Sequence, residues 1–137
     1  MGMVHAEIKL TNGEDLYAVK RNLIDRDEVR HMNINCLVDT GACLLGINEN
    51  IQEYFQLPFM YKQRSQTADG RIMEFDVVGP VQVEFGGRQC TCNAILLEGD
   101  SEPLLGAIPM EEMDLVVLPL EEQLVVNPYP RKCSIRW

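Results

Sequence analysis

The run Cys36-Leu37-Val38-Asp39-Thr40-Gly41-Ala42 constrains this chain more than any other segment, because an apolar strand ends in an acid followed at once by a small hydroxyl residue and a glycine. Met32, Ile34, Cys36 and Val38 recur at every second position up to Asp39, the period of a half-buried strand. A carboxyl at the mouth of such a strand is aimed by it, and the glycine lets the backbone fold back toward the acid. Read locally, Asp39 closes an Asx-type turn at a strand end. Read chemically, it presents a carboxylate.

One carboxyl cannot be general acid and general base at once, so chemistry that needs both requires two carboxyls sharing a proton. The chain has a single run of this kind, so the second carboxyl would come from another copy.

The remaining sequence reads as short strands separated by turn signals. Val4, Ala6, Ile8 and Leu10 alternate with polar residues, and Asn12-Gly13 predicts a hairpin turn into a second strand from Leu16 to Val19. Residues 21 to 28 are charged and without periodicity, which predicts a loop. Leu44-Leu45-Gly46-Ile47 predicts a short strand, and Asn48 caps a helix through Ile51, Tyr54 and Phe55 that Pro58 ends. Val81, Val83 and Phe85 alternate before a Gly86-Gly87 turn, while 94–97 and 115–118 are continuous apolar runs suited to buried strands, with 124–126 adding one more. The pattern predicts an all-β, barrel-like fold with one or two short helices, in a single domain spanning 1–137.

Composition narrows the function classes. Hydrophobic residues at 46% and charged residues at 24% suit a soluble globular chain, and no apolar run approaches the roughly 20 residues that span a bilayer. The start, Met1-Gly2-Met3-Val4-His5, lacks the basic segment and apolar core of a secretory signal, which gives a cytoplasmic expectation with no membrane partner. A net charge of -9, with 21 acids against 12 bases, argues against a nucleic-acid partner.

The five cysteines at 36, 43, 90, 92 and 133 lack zinc or disulfide spacing, so neither metal nor cofactor is expected, and Cys90 and Cys92 read as buried reduced thiols on one strand face. His5 and His31 read as exposed residues without a recognisable partner. No Gly-x-Ser-x-Gly elbow, His-Glu-x-x-His pair or phosphate-cradling glycine loop occurs.

Asp39-Thr40-Gly41-Ala42 resembles the active-site motif of the aspartic proteases, and a single motif in a short chain is similar to the retropepsin-like branch, whose members work as homodimers. Pro103-Leu104-Leu105-Gly106-Ala107 resembles the family's second signature, which packs beneath the catalytic loop. The resemblance covers most of residues 30 to 118; the segments on either side look more like the small single-motif proteases of cellular genomes, bacterial ones included.

It implies a closed retropepsin-like β-barrel carrying half a site per chain, with Asp39 catalytic. Thr40, Gly41 and Ala42 would support it, and Leu104, Leu105 and Gly106 would lie under the loop. Ala68, Asp69 and Gly70 would form the tip of a substrate-binding flap within 67–71. Ala107 stands where retroviral enzymes usually carry Arg, so the dimer contacts are expected to differ. The last segment, 133–137, reads as either an interface strand anchored by Trp137 or an irregular tail. The implied activity is an aspartic endopeptidase acting on peptides or proteins; the alternative is a non-catalytic dimeric domain that binds or scaffolds a peptide.

Overall fold

Alternating apolar residues build β1 (His5–Asn12), which buries Ala6, Ile8 and Leu10 and turns His5, Glu7 and Lys9 outward. In the computed structural model, which describes residues 3–129, the chain then enters a helix, α1 (Gly13–Lys20), where the sequence predicts a hairpin and a strand. The correction has a local cause. The Asn12 side-chain oxygen accepts the Asp15 backbone N–H at 3.1 Å, Glu14 and Asp15 fill the first turn and Lys20 the last, so the apparent hairpin signal is a helix cap. Gly13 permits the close start, since a Cβ there would lie 2.8 Å from the Pro80 carbonyl oxygen.

The charged stretch expected as a loop contains a 3-10 turn, Arg26–Glu28, and leads into β2 (His31–Val38), antiparallel to β1 with Ile8 opposite Ile34. Arg30 locks this insertion to α1. Its Nε and Nη2 donate to Asp15 Oδ2 and Oδ1 at 2.9 and 3.0 Å, and its backbone N–H donates to Oδ2 at 3.0 Å.

These bonds, the guanidinium ones foremost, hold the Asp15 carboxyl below its ordinary 3.8. A depressed folded-state pKa gives stability that is present above the ordinary value and lost as pH falls through the folded one. Asp15→Ala is therefore expected to cost about 2 kcal/mol at neutral pH. In thermal unfolding, the gap to wild type should narrow once the pH drops below about 4.

After the Asp39 loop come β3 (Leu45–Asn48) and α2 (Glu49–Phe55), with Asn48 capping Ile51 N–H at 2.9 Å as the sequence predicts. The helix closes at Gln56, in the left-handed region at φ 52°, two residues before Pro58. Phe55 is fully buried, and its carbonyl accepts Asn12 Nδ2 at 2.7 Å, which ties α2 to the start of α1.

Two long strands follow β4 (Phe59–Gln66): β5 (Ile72–Phe85) and β6 (Arg88–Leu97), joined at Gly86-Gly87 with φ of 57° and 82°, the two positive values that a tight hairpin turn requires. β7 (Leu104–Leu105), α3 (Ala107–Glu112), β8 (Leu115–Leu118) and β9 (Gln123–Val126) complete the described elements.

The principal sheet runs β1-β2-β7-β3-β6-β5-β4, and β1 also pairs with β5, Leu10 opposite Val83, so the sheet curls back on itself. Ile8, Leu10, Leu45, Ile47, Phe55, Val81, Val83 and Leu105 form its enclosed core. The described chain is mostly β with three short α-helices, one more than the sequence reading allowed, because α1 replaces a predicted strand. The run 115–118 pairs with β9 as a separate two-stranded sheet and is only half-buried, with Val116 facing out; in 94–97 only Ala94 is buried. No helix among the described residues is long and apolar enough to cross a membrane. The terminal segment 133–137 lies outside the described residues.

Candidate active site

Asp39 follows the last residue of β2, and the neighbouring strand fixes its backbone. Leu37 N–H donates to Pro103 O at 2.9 Å and Asp39 N–H donates to Leu105 O at 3.0 Å, extending the parallel pairing of Leu37 with Leu104 and Val38 with Leu105. The chain then turns tightly, with Ala42 N–H donating to Asp39 O at 3.1 Å. Gly41 N–H donates to Asp39 Oδ1 at 2.9 Å and holds the carboxylate in one orientation. A Cβ on Gly41 would stand 3.3 Å from that oxygen, so glycine suits the approach.

Asp39 and Ala42 are half-buried, while Thr40 and Gly41 are exposed. The motif thus lies at the surface of the single chain, with the carboxylate accessible.

The second segment interlocks with this loop. At the start of α3 the N–H groups have no partner within the helix. Here Ala107 N–H donates to Ala42 O at 2.8 Å and Ile108 N–H to Cys43 O at 2.9 Å. Leu105 and Gly106 are buried and Leu104 is half-buried. Asp39, Thr40, Gly41 and Ala42 are therefore brought together with Leu104, Leu105 and Gly106. Sequence patterns do not reveal the roles of Ala107 and Ile108, whose backbone groups bind the loop whatever their side chains.

The expected flap is a hairpin. β4 pairs with β5 from Phe59 opposite Val78 to Gln66 opposite Ile72, and Thr67–Arg71 forms the tip, closed by Thr67 N–H to Arg71 O at 2.8 Å. Gly70 at φ 88° supplies the left-handed turn residue, with open space around it.

The Asp69 carboxylate is occupied within the tip. It accepts the Thr67 hydroxyl, Arg71 N–H at 3.3 Å and Arg71 Nε at 3.1 Å, and the Thr67 bond first of all lowers its pKa. Ala68, Asp69 and Gly70 are all exposed, and among the described residues no hydrogen bond or ion pair joins this tip to the Asp39 loop. Phe59, Met60, Tyr61, Ile72 and Met73 leave much apolar surface open along the two strands, and β4 is an edge strand with one side unpaired.

The sequence matches no family model and no curated protein. The site therefore stands on its own geometry.

Two further features had no sequence signal. A cavity of about 430 Å³ lies between the β5 end of the hairpin and the end of β6, with Met73, Phe75 and Leu96 on its apolar side and Glu49, Glu74 and Glu98 among its acids; its walls come from distant segments. His5 Nε2 meets Glu102 Oε1 at 2.6 Å, which corrects the expectation of a partnerless histidine and links the start of β1 to the segment entering β7. His31 is exposed, as expected.

The thiols are free among the described residues. Cys36 is buried, donates to Ala6 O at 3.4 Å and is pushed up to about 12 by burial, so it packs as a neutral side chain. Cys90 is buried, whereas Cys92 is half-buried rather than buried as expected; the hydrogen bond that Cys92 donates to Cys90, then burial, pushes the Cys92 thiol upward. Cys43, in the Asp39 loop, is exposed.

Proposed function

We propose that the chain is a retropepsin-like aspartic endopeptidase, a closed β-barrel half-site that becomes active as a homodimer. The observation that carries this reading is the interlock of the two segments. Asp39 leaves β2 with its carboxylate held by Gly41 N–H, and α3 donates Ala107 and Ile108 N–H to the same loop. Such support fixes a carboxylate within the narrow geometry that catalysis needs.

In the dimer, two Asp39 carboxyls face each other across a two-fold axis. Like charges that close cannot both ionise, so the pair holds one proton. The charged member takes a proton from a bound water, and the protonated member donates to the scissile carbonyl oxygen; no acyl-enzyme forms. Thr40, exposed beside each Asp39, bonds across the axis, and Ala42 lines the cleft. The peptide lies extended and pairs through its main chain, and the apolar, edge-stranded hairpin closes over it and excludes water.

The test is cleavage of a diverse unstructured peptide mixture by concentrated protein, from mildly acidic to neutral pH, read by mass spectrometry for wild type and Asp39→Asn. Cuts made by wild type alone support the reading. Identical product profiles overturn it in favour of a dimer that binds peptides without cutting them.

A further inference from the structure

The end of β2 opposite Asp39 borders a cavity that the proposed reaction does not use. His31 opens the strand and Asp39 follows its last residue, a separation of about 25 Å along an extended backbone. The cavity has a volume of about 410 Å³, within the range of about 300–1,000 Å³ common for small-molecule sites. Leu16, Val19 and Val29 supply its apolar lining. All three are half-buried and stand outside the hydrophobic core cluster.

Basic groups converge on this lining from four separate elements: Lys9 of β1, Lys20 in the last turn of α1, Arg26 of the 3-10 turn and His31 of β2. Glu84 is the one acid in the lining, and Lys9 Nζ lies 3.8 Å from it. Lys20 Nζ sits 5.8 Å from the centre of the Tyr17 ring, and among the described residues neither Arg26 nor His31 has a side-chain ion pair. The acids of the same turn, Asp25, Asp27 and Glu28, gather their oxygens within 4.8 Å of one another and do not line the cavity.

The chain as a whole carries 21 acids against 12 Lys and Arg, yet here three Lys and Arg oppose a single acid. The local sign is reversed. The wall is also pre-formed, because the Asp15–Arg30 fork and the tight contact of Gly13 with Pro80 hold α1 and the following turn in place. A pre-formed pocket with an apolar lining and two cations, Lys20 and Arg26, outside any ion pair among the described residues loses little order on binding and favours a ligand with negative charge on an apolar body.

We propose that this cavity binds a small free organic oxyanion, a phosphate or carboxylate carried on a compact apolar group. The apolar part lies on Leu16, Val19 and Val29, and the anionic part meets Lys20, Arg26 and His31. The site is separate from Asp39 and independent of whether the chain cleaves peptides.

The test uses isotope-labelled full chain titrated with phenyl phosphate and followed by NMR, with inorganic phosphate as the charge-only probe and benzyl alcohol as the apolar-only probe. Phenyl phosphate is expected to give saturable shifts at the amides of residues 16, 19, 29 and 31, in wild type and Asp39→Asn alike. Each half-probe should bind at least about tenfold more weakly. The Lys20→Met/Arg26→Met double variant changes exposed side chains, so it should unfold at the wild-type temperature while its affinity for phenyl phosphate falls about tenfold. Shifts that do not saturate, inorganic phosphate binding as tightly as phenyl phosphate, or undiminished affinity in the double variant would each overturn the proposal.

Discussion

Asp39→Asn is expected to lower peptide cleavage by at least about 10²- to 10⁴-fold, the contribution of a positioned acid or base, with no loss of folded protein. The fold survives because the asparagine side-chain oxygen can still accept the Gly41 N–H that Asp39 Oδ1 accepts at 2.9 Å. What the proposed dyad loses is its shared proton, since an amide neither ionises nor protonates in this range.

The same variant separates a site built from two chains from a site held within one. Mixed in equal amounts and allowed to exchange subunits, wild-type and variant chains form wild-type homodimers as only about a quarter of all dimers, so activity should fall to about a quarter of the unmixed value at equal total protein. Independent sites would retain about half. Cleavage that survives in the variant would place the chemistry elsewhere and end the two-carboxylate reading.

Much of the β framework was legible because its elements bury one face. The alternations at 4–10, 32–38 and 81–85 became β1, β2 and the end of β5, where a shift of one residue would expose the core. The Asn48 cap was legible for a similar reason, since it depends on residues three apart. The Asn12-Gly13 signal failed because the same pair serves a hairpin or a helix start. The local Asn12 cap selects the helix, and non-local contacts reinforce it: Asn12 Nδ2 reaches Phe55 O, and Asp15 meets Arg30.

At the candidate site the sequence supplied the acid and the second segment, but not how they lock together, which depends on backbone N–H groups that carry no side-chain signature. The two cavities were hidden because distant segments form them.

Gly106→Ala is expected to damage both stability and activity, although the backbone there could accept any residue. Gly106 has φ -92° and ψ -177°, an extended conformation, so the demand is for space rather than conformational freedom. A Cβ would lie 2.7 Å from the Cys43 carbonyl carbon and 2.8 Å from Ala42 O, and closer still to Leu44 O. All are backbone atoms of the loop that follows Asp39, and none can rotate away. The loop must therefore move outward, stretching the bonds from Ala107 N–H to Ala42 O and from Ile108 N–H to Cys43 O.

Such overpacking costs about 1–3 kcal/mol, visible as a lower unfolding temperature. Activity should fall further, by about 10²-fold under conditions where the variant is still folded, because a displacement of about 1 Å misaligns a carboxylate that, in the proposed dyad, meets both its partner and a water. Measuring kcat on folded variant protein separates the two effects. A variant that loses stability but keeps full kcat would show that α3 supports the fold without positioning Asp39. One that keeps both would mean the loop yields without moving the acid, and the interlock would no longer account for the site.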